Sequence, residues 1–244
     1  FGAVDYIQKP GMSEMREAAE IIRERLKAAA VANTTSFKRS ARRPVAPPSL
    51  NMESVILIGA STGGTEALRT VLEVLPKEIP PILIVQHIPP VFSAAFASRL
   101  NSLCPFEVRE AVDGDVIKPG LVLIAPGGKQ MEIRNLGDRK VVAITDAAPV
   151  NRHKPSVDHL FQSAARIKFT APLVGVILTG MGVDGARQLK VLRGLGARTI
   201  AQDKATSVVY GMPREAAENG AAEFIEPLEQ ISLRILELCA GIKK

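Results

Sequence analysis

SVILIGASTGG, residues 54–64, is the stretch whose reading decides the fold. Val55, Ile56, Leu57 and Ile58 form an unbroken apolar run that is mostly β-branched, and it ends in a glycine-rich turn. TEALRTVLEVL (65–75) follows directly with the apolar spacing of a helix. The same alternation recurs along the chain: PILIVQ (81–86) precedes FSAAFASRLNSL (92–103), LVGVILTG (173–180) precedes DGARQLKVLRGL (184–195), and RTIAQ (198–202) precedes a polar loop. Strands and helices in that order predict parallel strands joined by right-handed crossovers. The strands lack alternating polarity, which predicts helices on both faces of the sheet. The expected fold is α/β, a doubly wound, mainly parallel, Rossmann-like sheet. Residues 106–145 break the pattern, because FEVRE, LVLIAP, MEIRN and KVVAIT follow one another with DGD, PGG and NLGD as turns between them. They predict antiparallel hairpins inserted into the α/β frame.

A chain of 244 residues, 46% hydrophobic and 23% charged with 19 Gly and 17 Pro, excludes disordered, collagen-like and coiled-coil classes. No apolar run reaches the roughly 18 residues that span a bilayer, and no secretory leader is visible. Cys104 and Cys239 lie far apart in a chain long enough to fold without staples, so free thiols in a reducing, cytoplasmic setting are expected. The net charge of +6 invites a nucleic-acid reading until its location is considered. Residues 1–33 balance Lys9, Arg16, Arg23, Arg25 and Lys27 against five acids. Residues 34–50 carry Lys38, Arg39, Arg42 and Arg43 with no acid, among three prolines. That composition describes an extended basic linker, and without aromatic platforms or a basic folded face no nucleic-acid partner is expected. A basic hinge leaves attraction to an acidic partner surface open.

Residues 51–244 therefore form the main domain. In residues 1–33, Met15, Ala18, Ala19, Ile22, Leu26 and Ala29 share one helical face, and a single amphipathic helix cannot bury its own stripe. The string GAVDYIQKP (2–10) resembles the end of a response-regulator receiver domain. In such domains the lysine, here Lys9, senses phosphoryl charge on an aspartate, which would lie upstream of residue 1.

Sites in a doubly wound sheet assemble beyond the carboxyl ends of its strands. Gly59-Ala60-Ser61-Thr62-Gly63 matches the G-x-S-x-G elbow that exposes a serine hydroxyl, and the helix N-terminus behind it offers backbone N–H donors to an oxyanion. Ser61 is the candidate nucleophile, against a glycine-rich anion or nucleotide loop. The G-x-G-x-x-G spacing and a Walker lysine are absent. A serine needs a base, and three histidines are available. His87 closes the strand PILIVQ, His153 lies in the loop NRHKP, and His159 sits in a helical stretch that suits a satisfied structural histidine; placement favours His87. For the carboxylate that orients the base, Asp184, Asp203 and Asp146 all follow strands. Asp184, set among Gly180, Gly182 and Gly185, ranks first, with helix N-cap as its competing role. No metal or organic cofactor is expected, because the histidines and cysteines have no ligand spacing.

With these residues in view, GASTGGTEALR, QHIPP, IAPGG, NRHKPSVDHLF, VGVILTGMGVDGA and QDKATSVVYGMPREA resemble, in order over residues 53–240, the catalytic domain of the chemotaxis receptor methylesterases, the protein-glutamate methylesterase/protein-glutamine glutaminase family. The resemblance implies a Ser61, His87, Asp184 triad, with Thr62 beside the nucleophile and the Met181 N–H in the oxyanion hole. It also implies hydrolysis of glutamyl γ-methyl esters, and deamidation of glutamines, on the cytoplasmic helical region of methyl-accepting chemotaxis receptors. A sensor kinase would act through the receiver domain, and in its absence the esterase is expected to run largely unregulated. Two positions depart from the family pattern: Val183 stands where an Asn is common, and Gln130 where a His is common. A homologue redirected to another ester is the remaining alternative, and methanol release separates the readings.

Overall fold

The computed structural model describes residues 49–240, together with helical positions between residues 19 and 30 that include Ala19, Ile22, Leu26 and Ala29. The expectations for Lys9, the remainder of the receiver-like tail and the linker up to residue 48 lie outside the described residues.

The main sheet has seven strands in the order β3-β4-β2-β1-β7-β8-β9, and every pairing is parallel. Its strands are β1 (Val55–Ala60), β2 (Ile82–Gln86), β3 (Glu107–Glu110), β4 (Leu121–Ile124), β7 (Leu173–Ile177), β8 (Arg198–Gln202) and β9 (Phe224–Glu226). A separate antiparallel hairpin is made of β5 (Gln130–Leu136) and β6 (Arg139–Thr145). Six helices among the described residues of this domain complete the fold: α1 (Gly64–Leu72), α2 (Pro90–Leu103), α3 (Val157–Ala165), α4 (Ala186–Gly194), α5 (Met212–Glu218) and α6 (Leu228–Cys239). No helix among the described residues is long and apolar enough to cross a membrane.

The apolar strands read from the sequence are buried on both sides because successive side chains enter different layers. Ile56, Ile58 and Ala60 of β1 pack with Leu68 and Leu72 of α1, Leu100 of α2 and Ile231 and Ile235 of α6. Val55 and Leu57 pack on the opposite face with Leu160 and Phe161 of α3, Leu189 of α4, Met212 of α5 and Met131 and Ile133 of the hairpin. Each fully buried Leu, Ile or Phe contributes about 1.5–3 kcal/mol by leaving water. Two such layers clamp the central strands and hold their carboxyl ends in fixed register.

The expectation for residues 106–145 needs correction in its first half. β5 and β6 pair as the predicted hairpin, but β3 and β4 are parallel members of the main sheet, in register from Glu107↔Leu121 to Glu110↔Ile124. Parallel neighbours require a crossover between opposite ends of the sheet. Here residues 111–120 make it without a helix by pairing with β6: Gly114 N–H donates to Val142 O at 2.9 Å, Ile117 N–H to Lys140 O at 2.9 Å, and Val142 N–H to Asp115 O at 2.8 Å. The DGD turn lies inside that crossover, so its turn chemistry is genuine while the strand direction it suggested is not. β9 and α6 also extend the frame beyond the elements legible in the sequence.

Candidate active site

β1 is flanked by β2 on one side and by β7 on the other, so the carboxyl ends of these three strands form the rim where chain order reverses. Ser61 follows β1, His87 follows β2, and Asp184 follows β7 in the loop before α4. Strand hydrogen bonding continues into these loops: His87 N–H donates to Ala60 O at 3.0 Å, and Ser61 N–H donates to Thr179 O at 3.0 Å. The serine is thus fixed between the chain that carries the histidine and the chain that leads to the aspartate.

The elbow after β1 turns at Gly63, whose φ of 77° is a left-handed conformation that side chains disfavour. Gly64 N–H closes the turn onto Ser61 O at 2.7 Å, and α1 begins there. Gln86 Nε2 donates to Ser61 O at 2.9 Å and to His87 O at 3.2 Å, so one buried amide ties the two loops together. On the far side, Gly180 is needed because a Cβ at that position would lie 2.7 Å from Ser61 Cβ and against the Met212 sulfur. Gly180→Ala is accordingly expected to displace Ser61, lowering kcat about 10²-fold while overpacking costs about 1–3 kcal/mol of stability. Steady-state turnover and a thermal melt of the variant check this, and wild-type turnover would exclude the close contact as functionally relevant.

His87 is buried, and its Nε2 lies 2.8 Å from Asp184 Oδ2. Its Nδ1 is buried and has no hydrogen-bond partner among the described residues. One ring nitrogen is therefore engaged by a carboxylate, while the other has no hydrogen bond to any described residue, the Ser61 hydroxyl included. A second imidazole, that of His153, stacks on the first with centroids 3.7 Å apart and planes 14° apart.

Asp184 is 1% exposed and almost saturated with donors. Oδ2 accepts from Val157 N–H at 2.7 Å besides facing His87, while Oδ1 accepts from Asn151 Nδ2 at 2.7 Å, Ser156 Oγ at 2.8 Å and Asp158 N–H at 3.2 Å. Asp184 does not cap α4, whose N-cap is Gly185 without any side-chain cap bond. It sits instead on the N-terminus of α3, where free N–H groups and the helix dipole favour an anion. Burial by itself would raise this carboxyl, but the hydrogen bonds and charge from His87, with Asn151 and Ser156, outweigh it and hold Asp184 well below the usual carboxylate range.

Asp158 lies close by, linked through the same Asn151 amide at 2.6 Å, and burial together with the charge of Asp184 raises it. These opposite shifts give a signed expectation. Because Asp184 is depressed when folded, its stabilisation is complete above the unfolded carboxylate value of about 3.9 and is lost as pH falls below it, at up to about 1.4 kcal/mol per pH unit. Asp158, being raised, offsets part of that loss as it takes up its proton. Thermal melts between pH 7 and pH 3 should show a steeper acid limb for the native chain than for Asp184→Asn, and equal limbs would contradict the assignment.

The other candidates are engaged elsewhere. His159 Nε2 lies 2.8 Å from Glu132 Oε1, Asp203 holds Thr206 through Oδ1, and exposed Asp146 pairs with Lys154 and Lys129. Thr62 is buried, with its carbonyl 3.0 Å from Thr179 Oγ1, and half-buried Met181 packs on Val208 and Val209. Gly211 N–H and Met212 N–H both donate to Gly180 O, which fixes the chain entering Met181. Among the described residues, no group of three or more His, Cys, Asp or Glu side chains is arranged to hold a metal ion.

Residues without an assigned role in the sequence reading prove central: Asn151, Ser156 and His153, all within NRHKPSVDHLF, and Gln86. Gln130, which departs from the family pattern, holds that same loop by donating from Nε2 to Ala148 O and His153 O, both at 3.2 Å, and accepting from Ser156 N–H at 2.9 Å. The advance signals were that NRHKPSVDHLF is one of the stretches carrying the family resemblance and that it places a polar loop directly before a helix.

A glycine-flanked serine at a strand-to-helix elbow, a buried His–Asp pair on the same rim and a parallel sheet with helices on both faces are features of α/β hydrolases. The sequence model of the CheB methylesterase family matches residues 56–235, and the chain belongs to that family. It is 49% identical to "Protein-glutamate methylesterase/protein-glutamine glutaminase 2" of Pseudomonas aeruginosa, over 98% of this chain and 70% of that protein. It is 47% identical to the Salmonella typhi protein named protein-glutamate methylesterase/protein-glutamine glutaminase, with the same two coverages. The crystal structure of the Thermotoga maritima CheB methylesterase catalytic domain superposes with a TM-score of 0.73 at 37% identity, covering 75% of this chain and 97% of that one.

Proposed function

We propose that this chain hydrolyses glutamyl γ-methyl esters on the cytoplasmic helical region of methyl-accepting chemotaxis receptors, with Ser61 as nucleophile. The observation that carries the reading is the state of His87: Nε2 is engaged by Asp184 while buried Nδ1 has no partner among the described residues. An ionised Asp184 selects the tautomer with hydrogen on Nε2, which leaves the Nδ1 lone pair to take the Ser61 proton. Ser61 Oγ attacks the ester carbonyl, and the oxyanion is held by backbone N–H groups of Thr62 and Met181. The tetrahedral adduct then collapses as His87 returns the proton to methoxide, releasing methanol. Water, deprotonated by the same nitrogen, attacks the acyl-serine and releases the glutamate carboxyl and the free Ser61 hydroxyl. Receptor glutamines enter the same cycle with ammonia as the leaving group.

The names of the relatives support the substrate class, and the likeness of GAVDYIQKP to a receiver-domain end supports residues 1–33 as that end with 34–50 as the linker. A receiver domain makes a sensor kinase the upstream partner and the cytoplasm the location. The test is methanol release from methylated receptor cytoplasmic fragments: turnover that depends on Ser61 supports the reading, and its absence with intact protein and receptor overturns it.

A further inference from the structure

We propose that His153 is a positioning residue for His87, fixing the plane of the ring through which the proton moves; the proposal rests on the hydrolase reading above. A single hydrogen bond from Nε2 to Asp184 holds one edge of the ring but leaves it free to tilt about that edge. The face of His153, at a centroid distance of 3.7 Å and an interplanar angle of 14°, removes that freedom. A near face-to-face sandwich is not the arrangement aromatic rings choose by themselves. The surrounding backbone imposes it.

Asn151 and Arg152, immediately before His153, both have left-handed φ angles, 51° and 66°. Two consecutive residues other than glycine in that region persist only where the surroundings over-determine them, and such outliers cluster at functional sites. Here the constraints are explicit. Val150 N–H donates to His153 O at 3.1 Å and His153 N–H to Val150 O at 2.8 Å, closing the loop on itself. Gln130 Nε2 holds His153 O, and Gly128 N–H donates to Lys154 O at 3.1 Å. Asn151 Nδ2 anchors the start of the loop directly on Asp184 Oδ1. One short loop therefore touches both the carboxylate that orients the base and the face of the base itself. His153 is half-buried, so it also covers that face of His87 from water.

The test uses the chain as it stands, with His153→Ala and His153→Phe. Stacking predicts that His153→Ala lowers kcat about 10- to 100-fold with KM changed less than about twofold, since the substitution acts by misaligning the base. His153→Phe, which keeps a flat ring, restores kcat to within about threefold of the native value. Independently of turnover, the carbon-bound ring protons of His87 should be displaced upfield by the neighbouring ring in the NMR spectrum of the native chain and of His153→Phe, and return downfield in His153→Ala. Native kcat in His153→Ala would overturn the proposal, as would a Phe variant that keeps the upfield displacement yet is as slow as the Ala variant. The hydrolase reading fails by a different result, native turnover in Ser61→Ala, which leaves the ring-proton measurement standing on its own.

Discussion

Ser61→Ala is expected to lower methanol release by about 10⁴-fold or more while leaving the fold unchanged. The size follows from the way a triad works: the members act as a unit, so removing the nucleophile leaves only the residual rate due to binding and oxyanion donors. The fold is spared for a local reason. The substitution keeps the Cβ that lies against Gly180, and the turn is held by backbone bonds from Ser61 N–H to Thr179 O and from Gly64 N–H to Ser61 O. Removing one half-buried hydroxyl is worth within about 0.5 kcal/mol when no partner is stranded. The pairing of lost turnover with an unchanged melt is what identifies a chemical role. Substantial methanol release by the variant would remove Ser61 from the mechanism, and a collapsed melt would reassign it to the fold.

Asp184→Asn is expected to combine the second largest loss of turnover with the largest loss of stability. Turnover falls about 10⁴-fold, because an amide no longer selects the Nε2–H tautomer of the base. The stability loss arises from donor arithmetic. If the new amide nitrogen takes the Oδ1 position, it confronts Asn151 Nδ2, Ser156 Oγ and Asp158 N–H; at the Oδ2 position it confronts His87 and Val157 N–H. Either orientation buries donors against donors, so a loss of about 1–3 kcal/mol is expected for each donor left unsatisfied. Denaturant midpoints and turnover measured on the same preparation decide the matter. A variant with native stability would show that the hydrogen bonds to this carboxylate contribute little.

The strand–turn–helix reading of SVILIGASTGG carried most of the architecture because the periodicities of apolar residues report burial directly. Residues 106–145 show where that stops. MEIRN, NLGD and KVVAIT form a hairpin because the local turn and the pairing partner are adjacent in sequence. FEVRE and LVLIAP become parallel neighbours through a crossover whose partner, β6, lies later in the chain, and no local pattern encodes that pairing. Asp184 makes the same point within the site. Its position before a helix suggested an N-cap, and it does receive helix N–H groups, but those of α3, which starts 27 residues earlier in the chain.

The sequence by itself singled out Ser61, His87 and Asp184 as candidates, since each is a chemically capable residue at the end of an apolar strand, and the sheet topology brings those ends to one rim. Tertiary structure alone decided what surrounds them: the amide of Asn151 shared by two carboxylates, the α3 N-terminus beneath Asp184, the Gln86 tie between two loops, and the His153 ring on His87. Strand ends are legible because hydrophobic burial has a period that a sequence displays. Hydrogen bonds and ring stacking between distant loops depend on distances of about 3–4 Å that exist only after the chain has closed on itself, and no spacing of residues records them.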